Sequence, residues 1–259
     1  MHRLFFRILW AALSCVTVVA MLAAVKPYLP VPSPTEEFTP IITEPEAPPP
    51  PEEPEKEPEL PDNPVDFAAL QAEFPEAVAW IRVPDTTIDY AVMQSGPDTK
   101  EDYYLDRNEA GERDRNGSIY IQKYNEADFS DPNTILYGHN MRNYHMFGEV
   151  HRFKKANFFN EHEYLYVYTP GHVLKYRICA VFKHNSRHLL WAYDFTTDEG
   201  RQTFIDQVFN PKASIQQVRD GVAVTPDDRL VTLSTCLNAR EGEGRLLLVA
   251  VLVEDMETK

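Results

Sequence analysis

Seven runs of six to ten residues, rich in β-branched and aromatic side chains, constrain this chain more than any other feature. They are TTIDYAVM (86–93), GSIYIQ (117–122), NTILYG (133–138), YLYVYT (164–169), VLKYRICAVF (173–182), RLVTLSTC (229–236) and RLLLVAVLV (245–253). Gly, Pro, Asn and Asp separate them, which is the punctuation of short strands. Seven or eight short strands in one domain point to a mainly β fold, a closed or nearly closed barrel, because closure leaves no unpaired edge.

Helical patterns are few. Asp66 can cap a short helix carrying Phe67, Leu70 and Phe74; Pro75 interrupts it, and EAVAWI (76–81) reads as a second short helix leading into the body. TTDE (196–199) fits a capping box, and Phe204, Ile205, Val208 and Phe209 follow at helical spacing, so a helix is expected in the connection before the last two strands. MFGEVHRF (146–153) reads as a further helical turn.

The N-terminal quarter is of another kind. Residues 8–25, ILWAALSCVTVVAMLAAV, are uncharged and follow Arg3 and Arg7, which suits a membrane anchor helix within 1–26. The expectation is a single-pass protein of the cell membrane, N-terminus cytoplasmic and catalytic domain extracellular, in preference to a cleaved secretory signal. Residues 27–64 hold 14 of the 21 prolines. Ten acids there, against Lys56 and the adjoining Lys26, carry over half of the net charge of −15. Proline fixes φ and like charges repel, so this stretch reads as an extended spacer. At about 3.1 Å per residue it reaches on the order of 100 Å. The remaining domain, 65–259, is mildly acidic and has no basic face for nucleic acid.

Chemistry concentrates near the C-terminus. Alternation in RLVTLSTC puts Leu230, Thr232, Ser234 and Cys236 on one face, with Cys236 last. LNAREGEG is a loop, and a strand resumes at Arg245. If the two runs pair as an antiparallel hairpin, thiol and guanidinium lie at the same level. Upstream, NTILYG ends a strand just before His139. A Cys and a His at the ends of adjacent strands make a nucleophile–base pair for thiol acyl transfer. Arg245 is then placed to meet the charge that develops on a tetrahedral intermediate. Cys179, inside an alternating strand, reads as a small buried apolar residue, and the two cysteines outside the apolar run 8–25, Cys179 and Cys236, make no disulfide framework. His184 and His188, like His139 and His145, lack the partners of a metal site and read as surface residues.

These motifs carry a resemblance. TLSTC with Arg245 nine residues on, and NTILYGHNM upstream, resemble the sortases, specifically class B. WIRVPDTTIDYAVMQ, DYYLDRNEAGERDRNGSIYI, FFNEHEYLYVYTP and TPDDRLVTLSTC extend the likeness over nearly all of 65–255. The resemblance implies a sortase-type barrel and a membrane-anchored cysteine transpeptidase of a Gram-positive cell surface. Such an enzyme cuts a C-terminal sorting signal, NPQTN-like for class B, after Thr and passes the thioester to an amine of the peptidoglycan precursor, lipid II. It implies Cys236 as nucleophile, His139 as acid/base and Arg245 as oxyanion stabiliser, with Tyr137, Ser234 and Leu105 along the substrate groove. No cofactor is implied.

Where many relatives carry an acidic or hydroxyl residue after the Cys, this chain has Leu237 and Asn238. Arg240 is a second guanidinium in the loop; Arg245 is preferred because its strand holds it in place. Reference pKa values near 8.5 and 6.5 put the thiolate–imidazolium form of an uncoupled pair at about 1%. Two other readings stand beside this one: a pilus-assembly enzyme using a pilin lysine as acceptor, and a non-catalytic binding module on the same barrel. A papain-like order, a caspase signature and an L,D-transpeptidase signature are all missing.

Overall fold

A computed structural model describes residues 59–237 and 244–259. Helix α1 (Phe67–Glu73) starts where expected, the Asp66 carboxylate accepting the Ala69 N–H at 2.9 Å. The second short helix does not form. Ala77–Arg82 is strand β1, because Ala77, Ala79 and Ile81 alternate into the core while both edges pair, with β2 (Asp89–Gln94) and with the later strand β5 (Tyr164–Thr169). Two-sided pairing overrides the helical preference of Glu and Ala in that run.

Strands β3 (Ile119–Ile121) and β4 (Asn133–Tyr137) follow, then a 3-10 segment, Phe147–Lys154, and α2 (Ala156–Glu161) ahead of β5. The long β6 (His172–His184) leads to α3 (Leu189–Ala192), α4 (Asp198–Phe209) and β7 (Gln216–Val218). The final pair is β8 (Leu230–Cys236) and β9 (Arg245–Glu257). All seven strand-like runs are strands; β1 and β7 are additional. The cap of α4 falls one residue later than TTDE predicts. Asp194 captures the N–H and hydroxyl of Thr196, leaving Thr197 to accept the Gly200 N–H.

Eight strands run in the order β5-β1-β2-β3-β4-β8-β9-β6, and β6 pairs back onto β5 to close the barrel, while β7 extends the free part of β6. Closure satisfies every long edge. The β2–β3 and β4–β8 pairs are parallel. Val231, Leu233, Leu246 and Leu248 point into the barrel with Phe147, Val150 and Phe153. Leu230, Leu247 and Val249 point outward beneath Leu189, Phe204, Ile205 and Val208 of α3 and α4. These strands are therefore buried on both faces, which explains why RLLLVAVLV is nearly continuous in its hydrophobicity.

The single-pass membrane placement requires correction: no helix among the described residues is long and apolar enough to cross a membrane. The run 8–25 on which that expectation rested, and most of the spacer, lie outside the described residues. Within 59–64, Asn63 donates to the Thr169 carbonyl and to Thr258 Oγ1, both at 3.0 Å, and so touches the barrel.

Candidate active site

Two strand registers assemble the site. In the parallel β4–β8 pair Tyr137 is level with Ser234, so His139 and Cys236, each two residues further on, leave the same end of the barrel. In the antiparallel β8–β9 pair Cys236 is level with Arg245. Arg245 Nη1 donates to Cys236 Sγ at 3.3 Å. Asn238 and Arg240 lie outside the described residues.

Gly138 makes the passage from β4 to His139 possible. A Cβ there would lie 2.5 Å from Ile119 Cδ1 and 2.8 Å from Phe147 Cδ2. Its N–H continues the ladder to the Ser234 carbonyl at 3.2 Å, and the His139 carbonyl accepts the Phe147 N–H at 3.0 Å. The His139 ring turns Nε2 toward the Leu105 carbonyl, 2.6 Å away. A carbonyl only accepts, so Nε2 carries a proton and the neutral ring keeps its lone pair on Nδ1.

A cleft of roughly 230 Å³ is lined by all six residues singled out in the sequence: Cys236, His139, Arg245, Tyr137, Ser234 and Leu105. Tyr120, Gln122, Arg187, His188 and Leu189 also line it. Tyr120 and Tyr137 stack with ring centroids 5.4 Å apart. Burial raises both phenols well above their ordinary values, so they present neutral faces to the cleft. The other cysteine among the described residues is unsuited to attack. Cys179 is fully buried, and its thiol is pushed up to about 12 by burial.

Two histidines depart from the sequence reading. His184 is buried beneath the α3–α4 cover, and His188 lines the cleft rather than open solvent, its Nε2 bonded to Gln122 Oε1 at 2.6 Å and its ring stacked on Trp191. His151, whose Nε2 meets the Cys236 carbonyl at 3.1 Å, drew no attention in the sequence. Only its place on the buried 3-10 segment marks it, and helical spacing alone does not reveal which way that segment faces.

A closed barrel that gathers a thiol, an imidazole and a guanidinium at one rim defines a thiol acyl-transfer enzyme. Comparison with known proteins places it further. Residues 81–253 match the Sortase domain family model. Sortase B of Listeria monocytogenes is 32% identical over 192 residues, 71% of this chain and 72% of the relative. Sortase B of Staphylococcus aureus is 29% identical, covering 73% of this chain and 75% of the relative. Among solved structures, sortase B from B. anthracis in complex with AAEK1 superposes with TM-score 0.64 at 33% identity, covering 75% of this chain and 88% of that one. A Staphylococcus aureus sortase B–substrate complex superposes with TM-score 0.64 at 28% identity, covering 73% and 84%. The chain belongs to the sortase family. Its relatives and structural neighbours are class B sortases, and it is a sortase B-type cysteine transpeptidase, an enzyme that anchors surface proteins.

Proposed function

We propose that Cys236 is the nucleophile, His139 the acid/base and Arg245 the oxyanion stabiliser of a transpeptidation on a C-terminal sorting signal. The donor is an NPQTN-like signal cut after Thr, and the acceptor is an amine of the cell wall peptidoglycan precursor. The observation that carries this reading is the 3.3 Å contact of Arg245 Nη1 with Cys236 Sγ in a cleft that His139 also lines.

The Cys236 sulfur, as thiolate, attacks the Thr carbonyl carbon, and the new S–C bond leaves negative charge on the carbonyl oxygen. Arg245 lies beside that oxygen and offsets its charge. Collapse breaks the C–N bond, and protonated His139 gives its proton to the departing amine. The acceptor amine then attacks the thioester, loses a proton to His139, and the S–C bond breaks to restore the thiolate. Tyr137, Ser234 and Leu105 border the acyl chain in the groove.

The test is trapping by mass spectrometry. The full chain is incubated with a quenched NPQTN-type peptide, and the acyl adduct is mapped. An adduct on Cys236 that disappears in Cys236→Ala and fails to form in His139→Ala supports the assignment. An adduct on Cys179, or one indifferent to His139→Ala, overturns it.

A further inference from the structure

The 3-10 segment Phe147–Lys154 holds the main chain of both reacting residues. At its start the Phe147 N–H donates to the His139 carbonyl at 3.0 Å. One turn later, His151 Nε2 meets the Cys236 carbonyl at 3.1 Å. That oxygen only accepts, so Nε2 carries the hydrogen and Nδ1 holds the lone pair. The lone pair is met by Lys154 Nζ at 3.1 Å, and the Lys154 carbonyl in turn accepts the Gln217 side-chain amide of β7 at 3.0 Å. Burial first, then the Lys154 ammonium, lower the pKa of His151 and keep its ring neutral, with this tautomer selected. The segment cannot easily drift, because Phe147, Val150 and Phe153 are fully buried in the barrel and Glu149 pairs with Arg152.

We propose that His151 is a positioning residue, which pins the exit of β8 so that the Cys236 sulfur stays against Arg245. Cys236 is the last residue of β8, and past Leu237, whose N–H reaches the Gly244 carbonyl at 3.1 Å, the ladder ends. The peptide unit that joins Cys236 to Leu237 is thus held by the sheet on its N–H side only, and its carbonyl side needs a second partner to fix its tilt. His151 supplies that hold from outside the sheet. Removing the donor leaves a half-buried carbonyl unpaired and lets the sulfur shift, and a displacement of about 1 Å costs up to roughly a hundredfold in rate. The loss falls on the chemical step and not on binding of the peptide, because His151 acts from behind the strand and does not line the cleft.

This inference rests on Cys236 being the nucleophile, and the experiment separates the two. Steady-state cleavage of an NPQTN-type peptide is measured on the full chain for native protein and for His151→Gln, His151→Met, His151→Asn and Cys236→Ala. The glutamine amide ends where Nε2 lies and keeps the donor; the methionine has none; the asparagine amide ends where Nδ1 lies, short of the carbonyl. His151→Met is expected to lower kcat on the order of tenfold with KM unchanged, and His151→Gln to return it to within about threefold of native. His151→Asn should behave as His151→Met, and it serves as the comparison should His151→Met not fold. Equal kcat in the donor-bearing and donor-less variants, or a loss confined to KM, overturns the positioning role. Turnover that survives in Cys236→Ala overturns the nucleophile assignment instead.

Discussion

Cys236 and Arg245 face each other across β8 and β9, with guanidinium Nη1 3.3 Å from the sulfur. Register alone sets this meeting, since the two residues are partners in the ladder and a one-residue slip would send one of them to the opposite face. In the proposed mechanism this cation offsets the charge of the oxyanion that forms on attack. Arg245→Ala is therefore expected to lower kcat/KM by about 10² to 10³, the usual cost of losing an oxyanion donor. Arg245→Lys keeps the charge but loses the planar fork, and should recover only part of the loss. Peptide cleavage followed by liquid chromatography measures both, and an alanine variant within threefold of native would remove Arg245 from the mechanism.

The two described cysteines differ in environment enough to be told apart by reagents. Cys179 is fully buried, and with its thiol near 12 only about one molecule in ten thousand is thiolate at pH 8. Cys236 is partly exposed and touches a guanidinium. A small alkylating agent at pH 8 is expected to label Cys236 in minutes and leave Cys179 unmodified until the protein is unfolded, as read by peptide mapping. Comparable labelling of both thiols in native protein would contradict the burial of β6.

How far the sequence disclosed this arrangement depends on the kind of residue. The hairpin of β8 and β9 was legible because TLSTC ends an alternating run and Arg245 begins the next, so their pairing follows from the loop between them. The level of His139 was legible in the same way once β4 was taken as a neighbouring strand. The run EAVAWI misled because its composition suits a helix, and only pairing on both edges makes it β1. His151, His188 and Gln122 were not legible, because each acts across a packing contact between segments distant in the chain. No local period encodes such a contact.

Gly138 links the barrel to His139 at a place with no room for a side chain, since its added Cβ would fall 2.5 Å from Ile119 Cδ1 and 2.8 Å from the Phe147 ring. Ile119 and Phe147 are themselves fully buried, so neither yields freely. Gly138→Ala is expected to cost about 1–3 kcal/mol of stability, the range for overpacking a core. It should also slow catalysis beyond that loss, because the strain falls one residue from His139. Urea unfolding gives the first quantity and peptide cleavage the second. An unchanged midpoint would show that the neighbourhood relaxes without cost.

Acid should loosen the α3–α4 cover on the outer face of β8 and β9 through His184. This residue is buried, its Nδ1 3.0 Å from the Asn185 carbonyl and its Nε2 3.3 Å from the Tyr193 hydroxyl. The carbonyl takes the Nδ1 hydrogen, so Nε2 of the neutral ring accepts from Tyr193; protonation reverses that bond and places a charge in a buried site. Burial, with a smaller contribution from Arg187, lowers the pKa of His184, while the hydrogen bond to Asn185 opposes the shift. The unfolded chain therefore takes up a proton that the folded chain resists, and stability falls as pH drops below the ordinary histidine value near 6.5. Above that value the group is neutral in both states and contributes no slope. His151 and His188, lowered for the same leading cause, add to the effect. The melting temperature is expected to fall between pH 7 and about pH 5. His184→Gln, which cannot titrate, should flatten that fall, and the measurement is thermal unfolding of both proteins in matched buffers. Parallel curves would mean that His184 titrates alike in the folded and unfolded chain.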